Sequence, residues 1–237
     1  MFKIVRYSIY VLLLLCASCA KQQSSSTTEV SCAFSADSAY TYIAQQVAFG
    51  SRVPGTLAHE KCGDWLVTQL AGYGAQVKNQ YATMTNYAGD EQPIRNIVAY
   101  FEGETSNAIL LCAHWDCRPW SDEEEFYENR FTPVMGANDG ASGVGVILEI
   151  IRQLAMRKAQ GEFVPSVQVA FFDCEDMGTP SHFTGSQRDH TWCLGSQYWA
   201  KEYQQASLHS HPSTPKIQYG ILLDMVGDPS ATFPREY

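Results

Sequence analysis

The sequence is poor in basic residues and contains no hydrophobic run long enough to cross a membrane. Its 237 residues include 16 Lys and Arg but 25 Asp and Glu, which gives a formal net charge of -9. This balance argues against a nucleic-acid partner, because phosphates require a basic patch. An N-terminal apolar run over residues 9–15 is much shorter than the roughly 20 residues that a spanning helix needs. The chain also shows no internal repeat and no second domain, so its length predicts one large domain.

The cysteines lack the spacing of a thiolate metal site. The only CxxC pattern is Cys16 to Cys19, close to the N-terminus, and six other cysteines follow it: Cys32, Cys62, Cys112, Cys117, Cys174 and Cys193. Their spacing is not that of a zinc site with cysteine ligands. An even number of cysteines in an exported protein permits disulfides. Cys112 and Cys174, however, lie in apolar runs, where a free thiol behaves as a small hydrophobic group.

Residues 1–19 resemble a bacterial lipoprotein signal peptide. Lys3 and Arg6 supply the positive start, a short apolar run follows, and small residues precede Cys19. This order is typical of a targeting segment that is removed from the mature protein. It predicts that Cys19 is acylated and becomes the mature N-terminus. The alternative is an ordinary signal peptide that is cut near Ala20.

The segment after the signal is polar and serine-rich, which predicts a flexible tether over residues 20–35. A folded domain is expected to occupy residues 36–237. We therefore expect an exported protein that is anchored by lipid at Cys19 in the bacterial envelope and faces the periplasm. Without acylation the protein would be soluble in the periplasm.

Helix-like and strand-like segments alternate along this domain. Apolar periodicity predicts helices over residues 36–49, 57–73, 140–156 and 194–203, and strands over residues 75–81, 94–100, 108–113, 167–173 and 219–226. Such alternation predicts an α/β fold with a mostly parallel or mixed central sheet that is covered by helices on both faces. Two long loops, residues 117–134 and 177–192, follow buried strands. We expect them at the carboxyl edge of the sheet, where ligands bind in such folds.

Four polar clusters stand where apolar runs end, the last of them within the final predicted strand: His114-Trp115-Asp116, residues 136–140, residues 173–176 and Leu223-Asp224-Met225. Singly, each has an ordinary structural explanation; Asp139, for example, could cap a helix. Together they would bring four carboxylate-bearing segments to one edge of the sheet. Like charges repel there, and each loses solvation, so a bound cation is the simplest remedy. Histidine with carboxylate oxygens suits zinc.

The order of these clusters resembles that of the zinc aminopeptidases and glutaminyl cyclases, which form one superfamily. The resemblance extends from about residue 39 to residue 226 and includes Arg52-Val53-Pro54-Gly55 and residues 95–99. Several strings resemble bacterial glutaminyl cyclases in particular: residues 114–120, 136–143, 171–176, 192–196 and 220–227. The resemblance implies a zinc aminopeptidase-like fold.

For the metal site, the resemblance to the cyclases implies one zinc ion bound by Asp139 and Asp176 with a distal histidine. The remaining histidines match no ligand position of the family: His59, His182, His190, His209 and His211. The third ligand is therefore expected beyond the end of this chain, which would be a fragment with a truncated catalytic domain. His114 and Asp116 would support the ligands or serve as alternative ligands. In the two-zinc aminopeptidases, the histidine at the His114 position is itself a ligand.

For catalysis, the resemblance implies that Glu175 is the general base and that Asp224 holds the reacting amine. Trp192 would contact the substrate. Because alternate residues of an extended chain face opposite ways, the side chains of Glu175 and Asp176 are expected to leave the strand end in different directions. Nearby carboxylates and partial burial are expected to raise the pKa of Glu175.

The expected activity is that of a glutaminyl-peptide cyclotransferase, an acyltransferase that converts the N-terminal glutamine of peptides or proteins to pyroglutamate and releases ammonia. A monomer is expected. The alternatives are a two-zinc aminopeptidase and an inactive binding protein that retains the hydrolase-like frame.

Overall fold

The computed structural model describes residues 34–186, 188–208 and 216–232. Four α-helices and five strands occur in these ranges: α1 (Ala36–Ala48), α2 (Leu57–Gly72), β1 (Gln76–Thr85), β2 (Glu91–Phe101), β3 (Asn107–His114), α3 (Ala141–Ala159), β4 (Ser166–Phe172), α4 (Leu194–Leu208) and β5 (Lys216–Leu222). A short 3-10 helix, Tyr127–Phe131, lies in the first long loop. None of the helices in these ranges is both long and apolar enough to cross a membrane.

The strands form one mixed sheet in the order β1-β2-β4-β3-β5. β2 pairs antiparallel with both β1 and β4, whereas β3 pairs parallel with both β4 and β5. The prediction of a mixed central sheet is confirmed. Because β3, β4 and β5 run in the same direction, their carboxyl ends lie at the same edge.

Helices cover both faces of this sheet, as the sequence predicts. On one face, Val169 and Phe171 of β4 belong to a core with Leu66 of α2 and with residues of α3. On the other face, the alternate residues of β4, Ala170 and Phe172, pack with Trp199 of α4. Successive side chains of a strand point to opposite faces. A strand of consecutive apolar residues is therefore buried on both sides. Burial of each large apolar side chain stabilises the fold by about 1.5–3 kcal/mol.

The start of α3 lies directly against the chain that leaves β5. A Cβ atom added to Gly143 would lie 2.1 Å from the carbonyl oxygen of Leu223, so this contact requires glycine. The backbone N–H of Leu223 also donates to the carbonyl of Cys112 in β3. These contacts bring the segments of Asp139 and Asp224 to the end of β3.

Two expected boundaries are corrected. β5 ends at Leu222, so the Leu223-Asp224-Met225 cluster follows the final strand instead of lying within it. The tether was expected to reach residue 35, but Ser35 caps α1 and its backbone N–H donates to Glu149. Ser35 therefore belongs to the folded domain.

The described cysteines are free thiols: Cys62, Cys112, Cys117, Cys174 and Cys193.

Candidate metal and catalytic site

His114, the last residue of β3, joins two carboxylates from other segments. Its Nε2 atom is 2.8 Å from Oδ1 of Asp139 and 3.7 Å from Oδ1 of Asp224. One ligand atom from each of the three residues lies within 4.8 Å of the others, which is compatible with a metal ion. Asp139 does not cap α3, because the N-cap residue is Gly140. The strand-end clusters therefore meet, as the sequence predicts.

The imidazole of His114 is buried among acidic groups. Burial by itself lowers the pKa of a histidine, because it disfavours the charged form. Here the hydrogen bonds to Asp116, Asp139 and Asp224 outweigh burial and raise the pKa of His114 well above 6.5. These acidic neighbours favour positive charge at this end of the sheet.

Asp116 is fully buried and binds backbone rather than facing the cleft. Its Oδ1 atom accepts a hydrogen bond from the N–H of Glu175 at 3.1 Å, and its Oδ2 atom accepts one from the N–H of Asp176 at 3.3 Å. Oδ1 also lies 3.4 Å from Nδ1 of His114. Asp116 therefore fixes the backbone of Glu175 and Asp176.

Glu175 and Asp176 lie in a turn, so the expectation that they leave an extended strand in opposite directions is wrong. β4 ends at Phe172, and Cys174 has a positive φ of 51°. Strand alternation does not apply to such a turn. The chain that enters α4 fixes it, since the N–H of Cys193 donates to the carbonyl of Glu175 at 2.9 Å. Two further backbone bonds of the same kind follow, Leu194 to Cys174 and Gly195 to Asp173.

The side chain of Glu175 has the environment expected of a general base. Burial raises its pKa, and the charges of Asp116 and Asp224 act in the same direction, whereas His114 and the thiol of Cys193 oppose the shift. The Sγ atom of Cys193 lies 3.2 Å from Oε1 of Glu175. The raised pKa predicted for Glu175 is confirmed in direction. Such a shift brings a carboxylate closer to a working pH near neutrality.

Asp176 is destabilised as an anion by its surroundings. Burial, followed by the charges of Asp139, Glu175 and Asp116, raises its pKa to about 7, while Arg118 opposes the shift. Carboxylates crowded in this way are well suited to a bound cation, which would favour their charged forms. Among the described residues, however, the group whose ligand atoms lie within 4.8 Å of one another is His114, Asp139 and Asp224, and it does not include Asp176. The nitrogen and oxygen donors of that group fit zinc.

Asp139 and Asp176 line a cleft of about 710 Å³ at this edge of the sheet, and Trp192 lines it as well. The guanidinium of Arg118 lies 4.8 Å from the ring centroid of Trp192. The indole packs directly on the chain at Gly178, where an added Cβ atom would approach it to 1.8 Å. Trp192 remains 45% exposed, so the ring offers an apolar wall beside the two carboxylates.

Sequence reasoning missed the ion pair that holds the two long loops together. Arg118 donates two hydrogen bonds of 2.7 Å to the carboxylate of Asp122. Asp122 also accepts the N–H of Ser181, from the second loop, at 2.8 Å. The hydrogen bonds from Arg118 lower the pKa of Asp122 to about 2, despite burial. Asp122 and Ser181 lie 59 residues apart in the chain, and neither stands in a pattern that links the loops.

A second missed pair lies beneath the turn. Nε2 of His59, in α2, is 2.8 Å from Oδ1 of Asp173. Asp173 was expected only as part of a polar cluster, and His59 matched no ligand position. Neither residue belongs to the group that the structure offers to a metal ion, which is His114, Asp139 and Asp224 among the described residues.

Residues 96–234, more than half of the chain, match the family model for peptidase family M28. The chain belongs to this family. The matched region contains all of the predicted site residues: His114, Asp116, Asp139, Glu175, Asp176, Trp192 and Asp224. The family assignment thus agrees with the geometry of the strand ends.

Solved structures that resemble this chain include a zinc-dependent exopeptidase and glutaminyl cyclases. The chain is 48% identical to a Zn-dependent exopeptidase from Parabacteroides distasonis, with a TM-score of 0.74 over 84% of this chain and 64% of that one. It is 46% identical to the glutaminyl cyclase of Tannerella forsythia, with a TM-score of 0.75 over 84% and 65%. The glutaminyl cyclase of Bacteroides thetaiotaomicron, bound to N-acetylhistamine, is 44% identical, with a TM-score of 0.74 over 84% and 65%.

These likenesses confirm the zinc aminopeptidase-like fold and imply a zinc cofactor. The chain spans 64% to 65% of the length of these structures.

Proposed function

We propose that this chain is part of a bacterial glutaminyl-peptide cyclotransferase, which acts on peptides or proteins that begin with glutamine. The observation that carries the proposal is an identity of 44% to 46% with bacterial glutaminyl cyclases over 84% of the chain. The cleft supports it, since Asp139 and Asp176 lie beside an exposed indole that could contact a glutamine side chain.

In this proposal Asp139 and Asp176 hold one zinc ion, together with the distal histidine that the resemblance implies. When bound, zinc polarises the side-chain amide carbonyl of the substrate glutamine, as Lewis-acid metals do. Trp192 contacts the apolar part of that side chain. His114 and Asp116 support the ligands, because His114 contacts Asp139 and Asp116 holds the backbone of Asp176.

The residues of this chain then manage the protons. The α-amine of the substrate attacks its own amide carbon, a bond from carbon to the α-nitrogen forms, and the bond to the amide nitrogen breaks. Glu175 takes a proton from the attacking amine and delivers it to the leaving nitrogen, which departs as ammonia. Asp224, whose side chain is 47% exposed, holds the amine. The amine and the amide belong to the same substrate molecule. Holding the substrate in a conformation that brings the amine to the amide carbon therefore supplies much of the rate enhancement.

A second candidate, a two-zinc aminopeptidase, is favoured by one observation. His114, Asp139 and Asp224 present ligand atoms within 4.8 Å of one another, and the aminopeptidase pattern uses these three positions as ligands. The likeness to the Parabacteroides exopeptidase agrees with this alternative. Glu175 would then activate water for hydrolysis.

The test is to identify the product with purified full-length protein. A peptide that begins with Gln and a matched peptide that begins with Leu are each incubated with the protein and followed by mass spectrometry, and zinc is measured in parallel. We expect a pyroglutamyl peptide and ammonia from the first, no change in the second, and about one zinc ion per protein. Release of the first residue, with about two zinc ions per protein, would establish the aminopeptidase instead. No reaction with either peptide would indicate an inactive binding protein.

We also propose export and lipid attachment at Cys19. Residues 1–33, which carry this signal, lie outside the described part of the structure. The support is the order of charged, apolar and small residues before Cys19. Mass spectrometry of the mature N-terminus should find an acylated Cys19. An unmodified N-terminus at Ala20 would instead indicate a soluble periplasmic protein.

A further inference from the structure

His59 contacts a buried carboxylate beneath the catalytic turn. It lies in the first turn of α2, and its Nε2 atom is 2.8 Å from Oδ1 of Asp173. The two side chains are only 8% and 1% exposed. A buried carboxylate is costly unless it is paired or hydrogen-bonded. Among the described residues, His59 is the ionisable side chain that pairs with the Asp173 carboxylate.

Asp173 in turn organises the chain that leads to Glu175 and Asp176. Its Oδ2 atom accepts the N–H of Arg95 in β2 at 2.7 Å, and its Oδ1 atom accepts the N–H of Cys174 at 2.8 Å. Its own N–H donates to Asn96 at 3.0 Å. The left-handed conformation of Cys174 follows immediately. The Asp173 carboxylate therefore fixes the point at which the turn leaves β4.

The ring of His59 also reaches the end of β3. It stacks on the indole of Trp115 with a centroid distance of 4.1 Å and an angle of 13° between the planes. Trp115 stands between His114 and Asp116, and its backbone N–H donates to the carbonyl of Phe172 at 3.0 Å. One side chain of α2 thus contacts both strand ends that carry the site.

We propose that His59 is a positioning residue for the zinc site. Through Asp173 it holds the turn of Glu175 and Asp176, and through Trp115 it holds the end of β3, so that the donors from the two strands face the cleft with the correct separation. Its effect on catalysis rests on the proposed cyclase function, whereas its effect on zinc binding rests only on the metal site.

Two substitutions separate the two contacts. His59→Phe keeps an aromatic ring against Trp115 but removes the hydrogen bond to Asp173. His59→Gln keeps a donor for Asp173 but removes the stacked ring. The matched control is Tyr42→Phe, which removes a partly buried side-chain hydrogen bond to Tyr73 elsewhere in the domain.

The readouts are zinc affinity by chelator competition, kcat and KM with a Gln-initiated peptide, and thermal stability, all with the full-length protein. We expect His59→Phe to bind zinc about tenfold more weakly and to lose about tenfold in kcat, with KM changed less than about twofold, since groups that orient metal ligands have effects of this size. His59→Gln should recover part of both losses. Tyr42→Phe should lower the melting temperature but leave zinc affinity and kcat unchanged.

The proposal is overturned if His59→Phe retains wild-type zinc affinity, or if Tyr42→Phe loses as much zinc affinity as His59→Phe does. If His59→Phe does not fold, His59→Gln decides: wild-type zinc affinity and kcat together with wild-type stability would contradict a role for the stacked ring. A wild-type protein that binds zinc but forms no pyroglutamate would refute the proposed function, while the zinc affinities would still decide the role of His59.

Discussion

The carboxylate of Asp116 accepts a hydrogen bond from the backbone N–H of Glu175 at 3.1 Å. Its second oxygen accepts the N–H of Asp176 at 3.3 Å. A residue that follows β3 therefore fixes the backbone of the two predicted site residues that follow β4. The parallel pairing of these strands brings His114 opposite Phe172 and makes this contact geometrically possible.

Substitution of Asp116 by asparagine should disturb this arrangement. The amide has one accepting oxygen, so its nitrogen would face one of the two backbone N–H groups and leave that donor unpaired in a buried site. We expect the free energy of unfolding to fall by about 1–3 kcal/mol, and zinc affinity to fall about tenfold. Denaturant titration and chelator competition measure the two effects.

The control for this variant is Asp90→Asn, which makes the same chemical change at an exposed position in the β1–β2 connection. It should leave both quantities at the wild-type value. An Asp116→Asn protein that matches the wild type in stability and zinc affinity would contradict the organising role of Asp116.

Cys193 offers a direct probe of the Glu175 carboxylate. Burial and the neighbouring Glu175 raise the pKa of this thiol to about 12, so it is almost entirely protonated at neutral pH. Removing the carboxylate in Glu175→Gln should lower the thiol pKa and increase the rate of alkylation by iodoacetamide, because the thiolate is the nucleophile. Peptide mapping assigns the label to Cys193. The other described cysteines are buried and should react more slowly.

The comparison variant for this measurement is Glu123→Gln. Glu123 also carries a carboxylate that lines the cleft, but the Cys193 thiol donates its hydrogen bond to Glu175. Its labelling rate at Cys193 should equal that of the wild type. Equal rates in Glu175→Gln and wild-type protein would show that Glu175 does not contact Cys193 in solution.

Asp122 should make the stability of the domain depend on pH in the acid range. Hydrogen bonds from Arg118 lower its pKa to about 2 from an ordinary value of 3.8. The folded protein therefore gains stability from Asp122 that is complete above about pH 4 and is lost as the pH falls toward 2. Asp122→Asn should cost about 2 kcal/mol at pH 7, and this difference should vanish near pH 2.

Unfolding curves of the wild type and Asp122→Asn across this pH range provide the measurement. A difference between the two proteins that stays constant from pH 7 to pH 2 would mean that the ion pair with Arg118 does not form in solution.

The sheet and the meeting of the four clusters were predictable because they depend on local patterns. Consecutive apolar residues such as Val169 to Phe172 predict a strand buried on both faces, and polar residues directly after such strands must lie at the sheet edge. The resemblance to the superfamily then supplied roles for Glu175 and Asp176. These inferences need only the sequence near each strand.

The supporting contacts were not predictable in the same way. His59 and Asp173 are 114 residues apart, and Asp116 reaches Glu175 across 59 residues. A single polar residue carries no periodic signal that identifies a distant partner. The turn after β4 was also misjudged, because the left-handed conformation of Cys174 is not one that a cysteine commonly adopts.

The roles of Glu175 and Asp176 are tested most directly by measuring bound zinc and ammonia release for two variants of the full-length protein side by side. Glu175→Gln should retain zinc and lose about 10²-fold or more in the release of ammonia from a Gln-initiated peptide, the scale of a lost general base. Asp176→Ala should lose the metal along with the activity. Glu175→Gln with near wild-type activity, or with the same loss of zinc as Asp176→Ala, would contradict the assignment of base and ligand.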